Sequence, residues 1–442
     1  MNLSSPRQLL ASAPRKVRTS FDQVLGSRIG KLLERIGLAA PRPATSEGLL
    51  DLGGALLSLR GRASGASLAS AFFDLYEASP AEARHAFLAQ FHAQYPRDAN
   101  AIDAAVAAWS KDRDERAAQK LLEAAESPCQ KLIRQLNLAP GGTRRLLAMR
   151  SDLIDAPDQS EHVRALDAEF DDVFSSWFNA GFLELRRIDW NSPALVLERI
   201  IQYEAVHSIQ GWDDLRRRVE PVDRRCYGFF HPQMADDPLI FVEVALTQDL
   251  PNAIHQIIAE ERDVIDPRDA ACAIFYSISN CQKGLRGIPF GNFLIKRVVE
   301  LLRAELPQLS RFATLSPVPG LAKWLAGELD GAEVPAGAPL QQAAARYLLT
   351  AKARGGQVAD SVARFHLGNG ARLEAVHVDA DLSANGLRQA HGVMVNYLYD
   401  LAEIEANLFA LVELGTVAAS KTVQDLAFGQ SAKPAKKAGK AA

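Results

Sequence analysis

The chain has 442 residues, 48% hydrophobic and 23% charged, enough for two or three globular units at roughly 150 residues each. Fifty Lys+Arg against 53 Asp+Glu leave a formal net charge of −3, which excludes a global electrostatic attraction to nucleic acid or an anionic membrane. Cys129, Cys226, Cys272 and Cys281 form no Cys-x-x-Cys pair and no Cys/His knuckle, which argues against a disulfide framework or a structural zinc and for a reducing compartment.

No run approaches the ~18 consecutive apolar residues of a membrane span, and the N-terminus lacks the apolar core of a secretory signal, so a soluble, cytoplasmic protein is expected. Residues 1–21 carry Arg7, Arg15, Lys16 and Arg18 without an acid. A helical pattern follows through Leu25, Ile29, Leu32, Leu33 and Ile36. A mitochondrial-type presequence has this form, but an Ala- and Arg-rich chain also produces it freely.

From about residue 45 to 185 apolar side chains recur three and four apart, as in Leu68, Phe72, Phe73 and Tyr76, and in Leu166, Phe170, Val173, Phe174, Trp177 and Phe178. This predicts an all-helical bundle, assigned to residues 1–188, with turns at Ser79-Pro80, Pro96-Arg97-Asp98, Ala139 to Gly142 and Asp155 to Asp158. Beyond Asp189-Trp190-Asn191 the pattern becomes mixed, predicting an α/β domain over 189–430 and a disordered Lys/Ala tail over 431–442. Strands are expected at Cys226 to Phe230, Leu239 to Thr247, Cys272 to Ser279 and Leu373 to Val378. In the third, alternation puts Ile274, Tyr276 and Ile278 on one side and turns Ser277 and Ser279 outward on the other. A glycine-punctuated loop and an amphipathic helix through Leu294, Val298, Leu301, Leu302 and Leu306 come next.

That loop, Gln282 to Asn292, carries Gly284, Gly287 and Gly291 beside Lys283 and Arg286, so its amides could converge on a phosphate, or it could be a structural turn. Its spacing is neither G-x-G-x-x-G nor G-x-x-x-x-G-K-[ST], which argues against a nicotinamide or nucleoside triphosphate site. It is similar, imperfectly, to the acyl-CoA loop Q/R-x-x-G-x-G/A of GNAT-like acyltransferases. Downstream, Ser316 sits in a stiff segment between Thr314 and Gly320 whose prolines force an extended path. His366 lies just before Asn369-Gly370, a hairpin-turn signal. Taken alone, Ser316 reads more readily as a solvated hydroxyl on a connector and His366 as a hydrogen-bonded packing residue than either does as a catalyst, and spacing does not bring them together. No G-x-S-x-G or H-E-x-x-H is present, so neither an α/β-hydrolase nor a zincin is expected.

Taken together, Arg224-Arg225-Cys226-Tyr227, Val244-Ala245-Leu246-Thr247, Ile274 to Ser279, Phe293 to Val299, Leu315 to Gly320 and Phe365 to Ala371 resemble the malonyl-CoA decarboxylase family, block by block and in order. The resemblance is close from about Phe174 to Tyr399 and looser over the helical half. It implies a helical domain used in oligomer contacts, as a homodimer or homotetramer, then a GNAT-like mixed α/β catalytic domain. It also implies conversion of malonyl-CoA to acetyl-CoA and CO2 in fatty acid metabolism, without metal or organic cofactor. The family's L-S-P-x-P-G serine matches Ser316 and its F-H-L-x-N-G histidine matches His366, a proposed catalytic dyad, and its further active-site serine and tyrosine match Ser277 and Tyr399. Its acyl-CoA loop matches Arg286, Gly287, Ile288, Pro289, Phe290, Gly291 and Asn292. Pro289 stands where some relatives carry Glu, so a carboxylate there is not essential in this chain. The remaining alternatives are a GNAT-like acyltransferase, an acyl-CoA-binding regulatory protein and a Ser-His thioesterase.

Overall fold

The computed structural model describes residues 44–288, 291–329, 333–353 and 355–429. The presequence-like start, the Lys/Ala tail, Pro289 and Phe290 lie outside the described residues. Contacts divide the chain into two compact units, one running through Phe182 and including the segment from Gln282, the other comprising Leu183–Cys281 and the chain from Gly291 onward.

The first unit is all-helical: α1 Ser46–Leu57, α2 Leu59–Ala78, α3 Ala81–Gln94, α4 Ala99–Asp112, α5 Glu115–Ala125, α6 Pro128–Leu136, α7 Gly142–Asp155 and α8 Glu161–Trp177. The side chains of Thr45, Asp98, Asp114, Ser127 and Ser160 each accept a backbone N–H at a helix start, satisfying donors that the helix itself cannot. Helices end or begin at all four predicted turns. Leu68, Phe72, Phe73, Tyr76, Leu166, Phe170, Val173, Phe174 and Phe178 are buried, as the periodicity predicts, and Phe72 packs edge-on to Phe87 at 5.4 Å.

The segment from Gln282 is held in this unit by Arg150, which is 2% exposed. Its guanidinium donates to Gly284 O at 3.0 Å, Asp167 at 2.9 Å and Asp171 at 3.3 Å, while Lys283 pairs with Asp155. Gly284 lies so close to the backbone of α7 that a Cβ would fall 2.2 Å from Leu147 O. The amides of Leu285, Arg286 and Ile288 donate to Gln282, Lys283 and Leu285 carbonyls, so the loop's own turn uses donors that the sequence suggested for phosphate.

The second unit contains β1 Glu184–Ile188, α9 Ala194–Tyr203, α10 Trp212–Val219, β2 Arg224–Phe230, β3 Ile240–Thr247, α11 His255–Ile258, β4 Cys272–Asn280, α12 Gly291–Glu305, β5 Arg311–Thr314 and β6 Ser316–Pro317. It continues through α13 Leu321–Leu329, α14 Ala338–Thr350, α15 Ser361–Leu367, β7 Arg372–His377, α16 Ala384–Ala390, β8 Met394–Leu398, α17 Ile404–Leu414 and α18 Lys421–Phe428. Among the described residues the strands form one sheet of order β1-β2-β3-β4-β5-β8-β6, with β7 also on β8. Every pair is antiparallel except β4/β5.

Three expectations are corrected. The division between units falls at Phe182/Leu183 and not at 188, because Glu184–Ile188 pairs with β2; its charged residues occupy an edge strand. Asn369-Gly370 makes no hairpin: the amides of Asn369 and Ala371 return to His366 O and that of Gly370 to Leu367 O, so the dipeptide closes α15 before β7 begins. Leu294, Val298 and Leu302 are buried on one side of α12, as is Leu306 just past its end, whereas Leu301 is 42% exposed.

Candidate active site

β4 and β5 run parallel and pair only from Cys272/Arg311 to Phe275/Thr314. After the Leu315 N–H donates to Phe275 O, the strands part. β4 continues to Asn280, while Ser316 and Pro317 leave to pair with Val395 and Met394 of β8. The parting opens a cavity of about 360 Å3. Phe275, Tyr276, Ile278 and Asn280 line it from β4, Ser316 and Pro317 from β6, Val206 from the loop after α9, and Ser361, Val362, Phe365 and His366 from α15. No Lys, Arg, Asp or Glu occurs among these lining residues.

Ser316 and His366, fifty residues apart in sequence, meet here, with Ser316 Oγ 3.1 Å from His366 Nε2. His366 Nδ1 is 2.8 Å from the Tyr399 hydroxyl, and the imidazole stacks on Tyr397 with ring centres 4.7 Å apart. Ser316 donates to Thr314 Oγ1 at 2.8 Å, and Thr314 Oγ1 also accepts the Tyr397 N–H at 3.2 Å. A hydroxyl has one proton. With that of Ser316 directed at Thr314, the contact with His366 requires Nε2–H to donate, which leaves Nδ1 to accept from Tyr399. Burial pushes the His366 pKa down to about 3 and holds the Tyr399 phenol well above its usual range, so both rings are neutral near pH 7.

Ser277 is not brought to this cavity. Ser277 and Ser279 are buried rather than turned outward, and both donate to Glu204 Oε2, at 2.6 and 3.2 Å. Glu204 Oε1 accepts the amides of Val206 and His207 at 2.8 and 2.7 Å. The register of β3 on β4 shifts between Glu243 and Val244, a bulge that simple alternation cannot foresee. Of the loop positions, Arg286 and Gly287 are exposed, Ile288 is buried, and Gly291 and Asn292 begin α12. Sequence reasoning passed over Thr314, although Thr-x-Ser in an extended segment puts both hydroxyls on one face. Among the described residues no group of three or more His, Cys, Asp or Glu could hold a metal ion, and no helix is long and apolar enough to cross a membrane.

A sheet cleft with a serine, a neutral histidine and a tyrosine in one hydrogen-bonded chain is an arrangement that can direct a proton toward a bound group. Residues 181–338 and 332–438 match the family model for the malonyl-CoA decarboxylase C-terminal domain, and residues 95–178 the one for its N-terminal domain. The mitochondrial malonyl-CoA decarboxylase of Rattus norvegicus is 36% identical over 346 residues, 67% of this chain and 70% of the relative. The crystal structure of malonyl-CoA decarboxylase from Rhodopseudomonas palustris matches with a TM-score of 0.80 at 48% identity, covering 87% of this chain and 100% of that one. That from Agrobacterium vitis matches with a TM-score of 0.80 at 46% identity, covering 86% and 99%. The chain belongs to the malonyl-CoA decarboxylase family and is a carboxy-lyase.

Proposed function

We propose that the chain converts malonyl-CoA to acetyl-CoA and CO2, with Ser316, His366 and Tyr399 acting at the thioester. The carrying observation is the 3.1 Å contact between Ser316 Oγ and His366 Nε2 inside a cavity whose lining, among the described residues, bears no charged side chain. The bond between the malonyl carboxylate carbon and the methylene breaks, CO2 leaves, and the electron pair passes onto the methylene carbon and the thioester oxygen as an enolate. The carbon then takes one proton, so each turnover consumes one proton, ultimately from water.

Only interactions that strengthen as the enolate forms raise the rate. The Ser316 O–H, turned from Thr314 to the thioester oxygen, meets charge that grows during the reaction. Among the described lining residues the malonyl carboxylate meets no cation to hold it in the ground state, whereas neutral CO2 suits apolar walls such as Phe275, Ile278 and Phe365. His366 follows Ser316 as a neutral donor through Nε2–H, with Tyr399 fixing that tautomer. This tautomer leaves Ser316 without a base to make it a nucleophile, which favours decarboxylation over a Ser-His thioesterase.

CoA phosphate contacts fall, by resemblance, to Arg286, Gly287, Ile288, Pro289, Phe290, Gly291 and Asn292. A GNAT-like α/β catalytic unit, a dimer or tetramer assembled through the helical unit, and a cytoplasmic location belong to the same reading. The test is mass spectrometry after incubation with malonyl-CoA and no acceptor amine. Acetyl-CoA and CO2 support the proposal; free CoA and malonate indicate a thioesterase, and unchanged malonyl-CoA indicates a binding protein.

A further inference from the structure

We propose that Asp360 is a positioning residue whose single carboxylate ties the Ser316 loop to the His366 helix and so sets the gap between the two side chains. The inference rests on the decarboxylase reading for its kinetics, but its geometric test does not.

Asp360 is 1% exposed, and each of its oxygens serves a different segment. Oδ1 accepts the Val362 and Ala363 amides, both at 3.0 Å, capping α15, the helix that carries Val362, Phe365 and His366 into the cavity. Oδ2 accepts the Gly320 N–H at 2.9 Å. Gly320 ends the short segment from Ser316 that passes through Pro317, Val318 and Pro319, whose two prolines have no amide to offer. The fit around Oδ2 is tight, since a Cβ on Gly320 would lie 3.1 Å from it and 2.1 Å from the Tyr347 hydroxyl. An N-cap needs only one oxygen. The second joins two segments that sequence separates by forty positions, beside the Ser316–His366 contact that borders the cavity.

The arrangement allows the two functions of one side chain to be separated. In Asp360→Asn the amide oxygen can keep the cap, because Asn caps helices as well as Asp. Its NH2 then faces the Gly320 N–H, donor against donor, and the loop anchor is lost. Asp360→Ser keeps a capping oxygen on a side chain too short to reach Gly320, and serves if the Asn variant does not fold. In crystals of either variant the Ser316 Oγ to His366 Nε2 separation should exceed hydrogen-bonding distance. A contact that stays near 3.1 Å would overturn the inference.

In the full chain, kcat for CO2 release should fall by ~10²-fold with KM for malonyl-CoA nearly unchanged, as expected when reacting groups are displaced by about 1 Å. In a Ser316→Ala background the same substitution should cost almost nothing further, since its effect passes through Ser316. Equal losses in both backgrounds, or a rise in KM with kcat retained, would show a general structural role and overturn the proposal. If the parent chain released no CO2, the functional reading would fall, while the Ser316–His366 separation in the variant crystals would still decide the inference.

Discussion

The sheet unit contains two buried polar clusters, one on β4 and one around β5, β6 and the end of β8, and they differ in what they enclose. Around Glu204, the hydroxyls of Ser277 and Ser279 and the amides of Val206 and His207 converge on one carboxylate, with no residue but Val206 reaching the cavity. Around His366, the chain from Tyr399 to Ser316 and Thr314 ends against open space. The first closes on itself; the second leaves a hydroxyl that can turn toward a ligand. Burial and hydrogen bonding alone therefore do not mark a reactive serine. An adjoining cavity does.

Substitutions can break this contrast in a graded way. Ser316→Ala should lower kcat by about 10²–10³, roughly 2.7–4 kcal/mol, the scale of one preorganised oxyanion donor, with malonyl-CoA binding retained in calorimetry. Near-normal decarboxylation by that variant would remove Ser316 from the chemistry. Tyr399→Phe takes away the partner of His366 Nδ1, and steady-state kinetics should register a loss of about 1 kcal/mol, a factor of about 5.

Ser277→Ala should instead leave kcat close to the parent value and appear in urea unfolding as ~1–3 kcal/mol, because the Glu204 carboxylate loses its 2.6 Å donor. A large kcat defect without that destabilisation would put Ser277 on the substrate and erase the distinction between the clusters. The smallest effect is a null one: kcat should show no step at the ordinary histidine pKa near 6.5, because His366 titrates at about 3. Stability, in contrast, should decline as pH falls from 6.5 toward 3. In that window the unfolded chain takes up protons that buried His366 and His207, the latter held at about 4, refuse in the fold.

Much of the architecture could be read from the residues. Apolar periodicity marked the helical bundle, and β-prone runs marked β2, β3, β4 and β7, because both report which face is buried. β1 escaped because Glu184, Arg186 and Arg187 give an edge strand a polar, helix-compatible composition, and β6 because two residues carry no period. The meeting of Ser316 and His366 has no local signature. It depends on β8 recruiting Ser316 away from β4, a choice made by tertiary pairing, so only resemblance could anticipate it. Asp360 did leave a trace: an Asp immediately before Ser361-Val362-Ala363 is a helix-start signal, though nothing in it reveals the bond to Gly320.

Gly284 has a consequence for how mutational scans of the loop are interpreted. A glycine beside Lys283 invites the idea of a phosphate cradle, yet any added carbon there collides with the Leu147 carbonyl at 2.2 Å. Replacing it would lever the loop off the helix beneath, and the resulting inactivity would mimic lost ligand recognition. An exposed neighbour such as Arg286 is the more informative position: a raised KM with kcat retained in Arg286→Ala would speak of CoA itself.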